Sequence, residues 1–400
     1  MLSKLLSRPL FSKYKWSKLI GGVCVFGILF YAVLGFAQAP QPSVQLTTEP
    51  PIAQTVPLEA EATEYLGSGN YNAPVQVKLQ ARDATGAPLQ NARFHVQVLT
   101  PPPTPWFTTD FPIVEGTKLL DIEANAPTGE FQMQQVFPIR GNYQLQVQVT
   151  PLVANGFAPI EQTLNLTVPE SPLKLKYFPV VLVVLLAIGF GGGWIIGGQQ
   201  EIQSGEIAPR QVRLLLSGVS ILAIAVLLFF NVSAEFAAHA GIESAALPVN
   251  NSGLIESQGL KLELTGDENA IVGQTASFQA KLTNSQTNQP VSDAIFKLKS
   301  TQLENNWVAF AYQGVSDAKG SLAWQEQFFD GAPHKIEVEV LPNPKGNQQF
   351  QPFQVTREIE VEGIAPPMSV RFISLFYFTG FLALGMMVGL GLQRRRLQQI

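Results

Sequence analysis

Cysteine, histidine and charge are all scarce in this chain. One cysteine, Cys24, and three histidines occur among 400 residues, and Asp, Glu, Lys and Arg together supply only 14%. A single thiol excludes intramolecular disulfides, so any exported domain must be held by its apolar core alone. Zinc and copper sites need several His, Cys, Met or carboxylate ligands converging on one point. Here His95, His239 and His334 are dispersed, and outside the apolar runs the only methionines are Met1, Met133 and Met368. No histidine pair at i, i+4, GxSxG elbow, Cys-His arrangement or GxxxxGKS/T loop is present. The residues therefore predict no enzyme and no catalytic or cofactor-binding site, with His334 as the single candidate metal ligand. A net charge of −4 without a basic, aromatic-interleaved stripe argues against nucleic acid as a partner.

What the chain has in excess is apolar length, with a mean hydropathy of +0.15. Four runs approach the roughly 20 residues that a bilayer crossing requires: 19–37, 178–198, 214–231 and 372–392. None contains Asp, Glu, Lys, Arg or His, which argues against a transport pathway through them. Lys4, Arg8, Lys13, Lys15 and Lys18 precede the first run, Arg210 and Arg213 separate the second from the third, and Arg394, Arg395 and Arg396 follow the fourth. Lys174, Lys176 and Arg371 fall on the other side. Basic residues are retained on the cytoplasmic side. The pattern thus predicts a cytoplasmic N-terminus (1–18), a cytoplasmic loop (199–213) and a cytoplasmic tail (393–400), with the long polar segments outside. Ala37-Gln38-Ala39 also resembles a signal-peptide cleavage site, although Pro40 would disfavour the cut.

The two polar segments are versions of one another. GEFQMQQVFPIRGNYQLQVQVTP (129–151) aligns without a gap to GSLAWQEQFFDGAPHKIEVEVLP (320–342). Gly129 meets Gly320, Phe137 meets Phe328, Val147 and Val149 meet Val338 and Val340, and three glutamines face glutamates. Upstream, KLQARDATGAPLQNARF (78–94) pairs with KLTNSQTNQPVSDAIF (281–296). In YQLQVQV every second residue is apolar, which describes a strand buried on one face. Several such strands between Gly, Pro, Asn and Asp turns predict two antiparallel immunoglobulin-like β-sandwiches, at 41–170 and 257–364. The expected fold is therefore a membrane α + β protein, with four transmembrane helices carrying two such domains.

Within RGNYQLQVQV, Tyr143 follows a glycine and precedes an inward position by two residues, as the tyrosine corner of immunoglobulin-like sandwiches does. His334 stands at the same place in the second copy, so both are expected to be structural corners. Carboxylate pairs such as Glu337 and Glu339 are two apart on a strand and share its solvent face. The first copy alone carries TPPPTPWFTTDFP (100–112), whose Trp106, Phe107 and Phe111 suggest either a partner-binding loop or one folded over its own sandwich. Gly189, Gly193 and Gly197 in the second run, with Gly385 and Gly389 in the fourth, have the spacing that lets membrane helices approach closely.

DATGAPLQNARFHV and TGEFQMQQVFPIRGNYQLQVQV, with VSDAKGSLAWQEQFFDGAPHKIEVEV in the second copy, resemble the YtkA-like and FixH-like exported β-sandwich domains. That resemblance implies an exported domain, and some such proteins are associated with copper handling or terminal oxidase assembly. The methionine-rich segment of the group is replaced here by the proline-aromatic loop. The expectation is a non-catalytic protein of the bacterial inner membrane, with both termini cytoplasmic and its β domains periplasmic. It would bind or scaffold an envelope or membrane protein. The alternative is an accessory factor in copper delivery or respiratory complex assembly.

Overall fold

A computed structural model describes residues 41–55, 74–104, 109, 111–198, 205, 207–221, 253–304, 306–344, 346, 349–365 and 367–399. The first apolar run, Trp106, Phe107, His239 and the part of the third run beyond 221 lie outside them. The first half contains β1 (Ser43–Glu49), β2 (Val75–Arg82), β3 (Ala92–Leu99), β4 (Lys118–Ala126), β5 (Glu130–Gln135), β6 (Gly141–Pro151) and β7 (Ile160–Val168), then helix α1 (Pro172–Gly197). A short helix α2 occupies 210–221 within the described residues. The second half contains β8 (Leu254–Ser257), β9 (Leu260–Gly266), β10 (Asn269–Ile271), β11 (Thr275–Asn284), β12 (Ala294–Gln302), β13 (Val308–Val315), β14 (Ser321–Gln327), β15 (His334–Pro342) and β16 (Phe353–Glu362), then α3 (Met368–Gln398).

The alternation in the sequence is the alternation of burial. Tyr143, Leu145, Val147 and Val149 of β6 face the core with polar residues between them, and so do His334, Ile336, Val338 and Val340 of β15. Each half repeats the same pairings: β1–β2–β5 and β4–β3–β6–β7 in the first, β9–β11–β14 and β13–β12–β15–β16 in the second. The turns repeat too. Gly129 and Gly320 both take positive φ, +70° and +65°, and a Cβ at Gly129 would lie 2.0 Å from Leu89 O. Only glycine meets both demands.

The four-helix, two-domain expectation requires correction. Sixteen strands form one connected network, and among the described residues only α1 and α3 are long and apolar enough to cross a membrane. Run length qualifies a segment for a bilayer without placing it there, and alternation specifies a strand's buried face without naming its neighbour. Here the neighbours come from the other half. β4 pairs antiparallel with β14, Leu120–Glu123 against Ala323–Glu326. Reciprocally, β5 pairs with β13, Met133–Gln135 against Phe310–Tyr312. The pairings trace two eight-stranded tiers, β1-β2-β5-β13-β12-β15-β16-β10 and β8-β9-β11-β14-β4-β3-β6-β7, bridged once at Val315 and Asn125. Phe94 of the second tier stacks on Phe131 of the first at 5.9 Å, and Phe131 on Tyr312 at 5.3 Å, so one apolar core continues between the tiers across the seam.

The helices follow the same approximate two-fold relation. A Cβ added to Gly189 or Gly193 would meet Leu382 O or Met386 O, at 2.1 and 2.0 Å; one added to Gly385 or Gly389 would meet Leu186 O or Phe190 O, each at 2.2 Å. Gly197 lies against Gln393. Partner numbers rise together along both helices, so α1 and α3 run parallel. Their backbones touch where side chains are missing, the close approach that small residues permit in membranes.

Candidate functional site

Tyr143 and His334 lie opposite the strand that leads into each long helix, Tyr143 in register with Leu166 and His334 with Ile359. In the first half the Tyr143 hydroxyl donates to Ile139 O at 2.7 Å and accepts from Ile139 N at 3.0 Å, and its ring meets Phe137 edge-on at 4.9 Å. The Arg140 Nε, one residue beyond Ile139, pairs with Glu170 at 2.8 Å, in the linker to α1. In the second half the His334 Nδ1 donates to Ala332 O at 2.8 Å and its ring packs on Phe328 at 4.5 Å and edge-on to Trp307 at 6.0 Å. Burial pushes His334 down to about 4, against a smaller opposing effect of that backbone contact. The ring is therefore neutral near pH 7, with the proton on Nδ1. Its Nε2 lies 3.9 Å from Asp330 Oδ1. Nowhere among the described residues do three His, Cys, Asp or Glu side chains gather as a metal site would require.

The proline-rich insertion of the first half reaches the second. Phe111 is half-buried and meets Phe329 edge-on at 6.1 Å, Ile113 lies against Gly273, and Thr117 Oγ1 donates to Gln327 at 2.9 Å. Phe329 in turn stacks on Trp307 at 5.3 Å. The described part of the loop thus touches both halves, with Phe111 at the seam and Pro101 against Gly141 of its own half. Behind it, a cavity of about 430 Å³ is lined by Pro101, Pro102, Ile139, Arg140, Val168 and Pro169 among others.

A feature that sequence reasoning passed over lies inside the seam. Glu326 is 3% exposed, and burial pushes its carboxyl up to about 8, against the weaker pull of Ser300 and Trp324 beside it. The signal was available, because alternation puts Glu326 on the same face as Leu322 and Trp324. By contrast His95 stands on the outer face of β3, its Nε2 2.8 Å from Asp121 Oδ1, which Lys118 Nζ also approaches from β4, Oδ2 to Nζ 2.7 Å. Partial desolvation of Asp121 is outweighed by these hydrogen bonds, and its carboxyl titrates below the usual range.

The outer surfaces of the two halves differ in chemistry. In the second half Lys297 pairs with Glu339 and Lys299 with Glu337, at 3.3 and 3.7 Å. The matching surface of the first half carries His95, Gln97, Gln146 and Gln148 around a shallow depression of about 360 Å³. It is rich in amides, two of which donate to carboxylates, Gln97 to Asp121 and Gln148 to Glu161.

No family model and no curated protein matches the chain. Similar solved structures include a copper-bound variant of FetP from uropathogenic Escherichia coli strain F11, at 9% identity over 28% of this chain and 97% of that one, with a TM-score of 0.22. The Yersinia pseudotuberculosis adhesin InvE is 11% identical over 80% of this chain and 60% of that one, with a TM-score of 0.18. A conjugative transposon lipoprotein from Bacteroides eggerthii is 12% identical over 26% of this chain and 98% of that one, with a TM-score of 0.19. Likeness at this level leaves the β-sandwich to be argued from the chain's own strand pairing, as above.

Proposed function

We propose that this protein is a non-catalytic, membrane-anchored platform that binds or scaffolds another protein at the cell envelope. One observation carries the reading: two parallel apolar helices leave the same end of a β-structure whose halves are sealed to each other. Such an arrangement holds both halves on one side of a bilayer in a fixed mutual orientation, which suits presentation of a composite surface. Arg394, Arg395 and Arg396 at the far end of α3 favour a cytoplasmic location for that end, and hence an extracytoplasmic platform. The YtkA-like motifs agree with export. The binding surface we favour is the amide-rich outer face of β3, β6 and β7, because the matching face of the second half is already occupied by its own Lys-Glu pairs.

A photo-crosslinking residue at Gln146, compared with one at Glu337, tests this in intact membranes. The reading expects a discrete protein adduct from position 146 and little from 337. Equal labelling from both positions, or adducts with lipid alone, would contradict it.

A further inference from the structure

The seam contains an ionisable group where its two-fold counterpart has an amide. On β14, Glu326 is in register with Ala276 of β11 on one side and Leu120 of β4 on the other. At the equivalent station of the other tier, Gln135 is in register with Phe310 of β13. It is 2% exposed, and its Nε2 donates to Val136 O at 2.9 Å and Ala309 O at 3.3 Å. The amide nitrogen is thus accommodated; Gln135 Oε1 and Glu326 Oε2 both lack a hydrogen-bond partner among the described residues, but only the second can carry a charge, and Ser300 and Trp324 beside it exert the weaker pull.

Among the described residues, no compensating charge pairs with the carboxyl. β11 and β4 present Ala276 and Leu120, β12 presents Ser300, and its own strand presents Trp324. Lys118 reaches Gln325 and Asp121 on the outer face of the same tier. His334, from β15, packs on Phe328, two residues along from Glu326, and Tyr312, from β13, stacks on Phe131. A buried carboxylate without a partner is costly, whereas a carboxylic acid is much less so.

We infer that Glu326 is a proton-binding site that couples closure of the seam to pH: the protonated acid seats between the tiers, and opening the seam delivers it to water, where it ionises and releases one proton. A free glutamate titrates near 4.5 and this one near 8 when enclosed. Below the lower value both forms hold the proton and pH has no effect through this group. Between the two, only the closed form holds it, so closure is progressively lost as pH rises. Above the upper value the loss is complete and levels off. Across the window one proton per opening corresponds to about a tenfold rise in the opening constant per pH unit.

The full chain with Cys24→Ser and Ala309→Cys supplies the test. Ala309 is 2% exposed and its carbonyl receives Gln135 Nε2 and Val136 N, so opening of the seam should expose position 309 to a maleimide. The labelling rate, divided by that of the same reporter carrying Glu326→Gln, should rise about tenfold per unit between pH 5.5 and 7.5. The amide at Gln135 shows that the replacement suits this setting, and Glu326→Leu should give the same flat reference. A ratio independent of pH would overturn the proposal. So would an equal pH-dependent rise at an Ala81→Cys reporter, buried in β2 opposite Val44 of β1, because the carboxyl would then act on the whole fold.

Discussion

Tyr143 and His334 occupy one position of the repeat and meet its demand differently. The phenol reaches four residues back along the chain and satisfies both backbone groups of Ile139, while the shorter imidazole reaches only Ala332 O. We regard both as corners that start a late strand. His334→Tyr should accordingly leave the protein folded and change its acid response. A histidine near 4 in the folded chain against 6.5 when free takes up its proton on unfolding, so stability should rise by about 1.4 kcal/mol per unit as pH climbs between those values. Thermal unfolding at pH 4.5 and 6.5 should show the stability difference, parent minus His334→Tyr, growing by that amount, since the opposite contribution of Glu326 is common to both proteins. A difference that stays constant would assign the acid sensitivity elsewhere. The equivalent placement of the two rings was legible because an ungapped alignment put Tyr143 opposite His334. The acid at 326 was half legible: alternation put it on the apolar face of β14 with Leu322 and Trp324, but the same alignment showed a Gln-to-Glu exchange and gave no sign that strands of the other half would enclose it.

At the level of the element, the glycines of α1 and α3 show how much spacing discloses. Gly189, Gly193, Gly385 and Gly389 announced a close contact, but not that each helix supplies the other's partner carbonyls in parallel register. That relation depends on residues nearly two hundred apart, which periodicity within a helix cannot encode. Gly193→Leu places a branched side chain where Met386 O already sits and should cost about 1–3 kcal/mol through overpacking. A Gly197→Cys/Gln393→Cys pair provides the readout, because a Cβ at 197 would lie 3.2 Å from the Gln393 Cβ. Disulfide formation in that pair should be efficient in the parent and impaired by Gly193→Leu. Undiminished bonding would mean that the glycine contact does not hold the helices.

For the whole molecule, the two halves behave as a dimer joined into one chain. Edge strands left open invite pairing with other chains. Each half has an edge at β4 or β13 in one tier and at β5 or β14 in the other, and the approximate two-fold axis seals all four against one another. Alternation and turn residues made the strands and their duplication legible, yet a second sandwich beside the first and a second sandwich fused to it produce the same pattern within each strand. Register across the seam is therefore the property on which the architecture, the buried acid and the proposed platform all rest. Gln134 and Ala311 are cross-strand partners there, with Cβ atoms expected about 4.5–5.5 Å apart. In the Cys24→Ser background, a Gln134→Cys/Ala311→Cys protein oxidised in native membranes should form a disulfide within the single chain, visible as a faster-migrating monomer on a non-reducing gel. Free thiols, or bonds only between separate chains, would contradict a sealed seam.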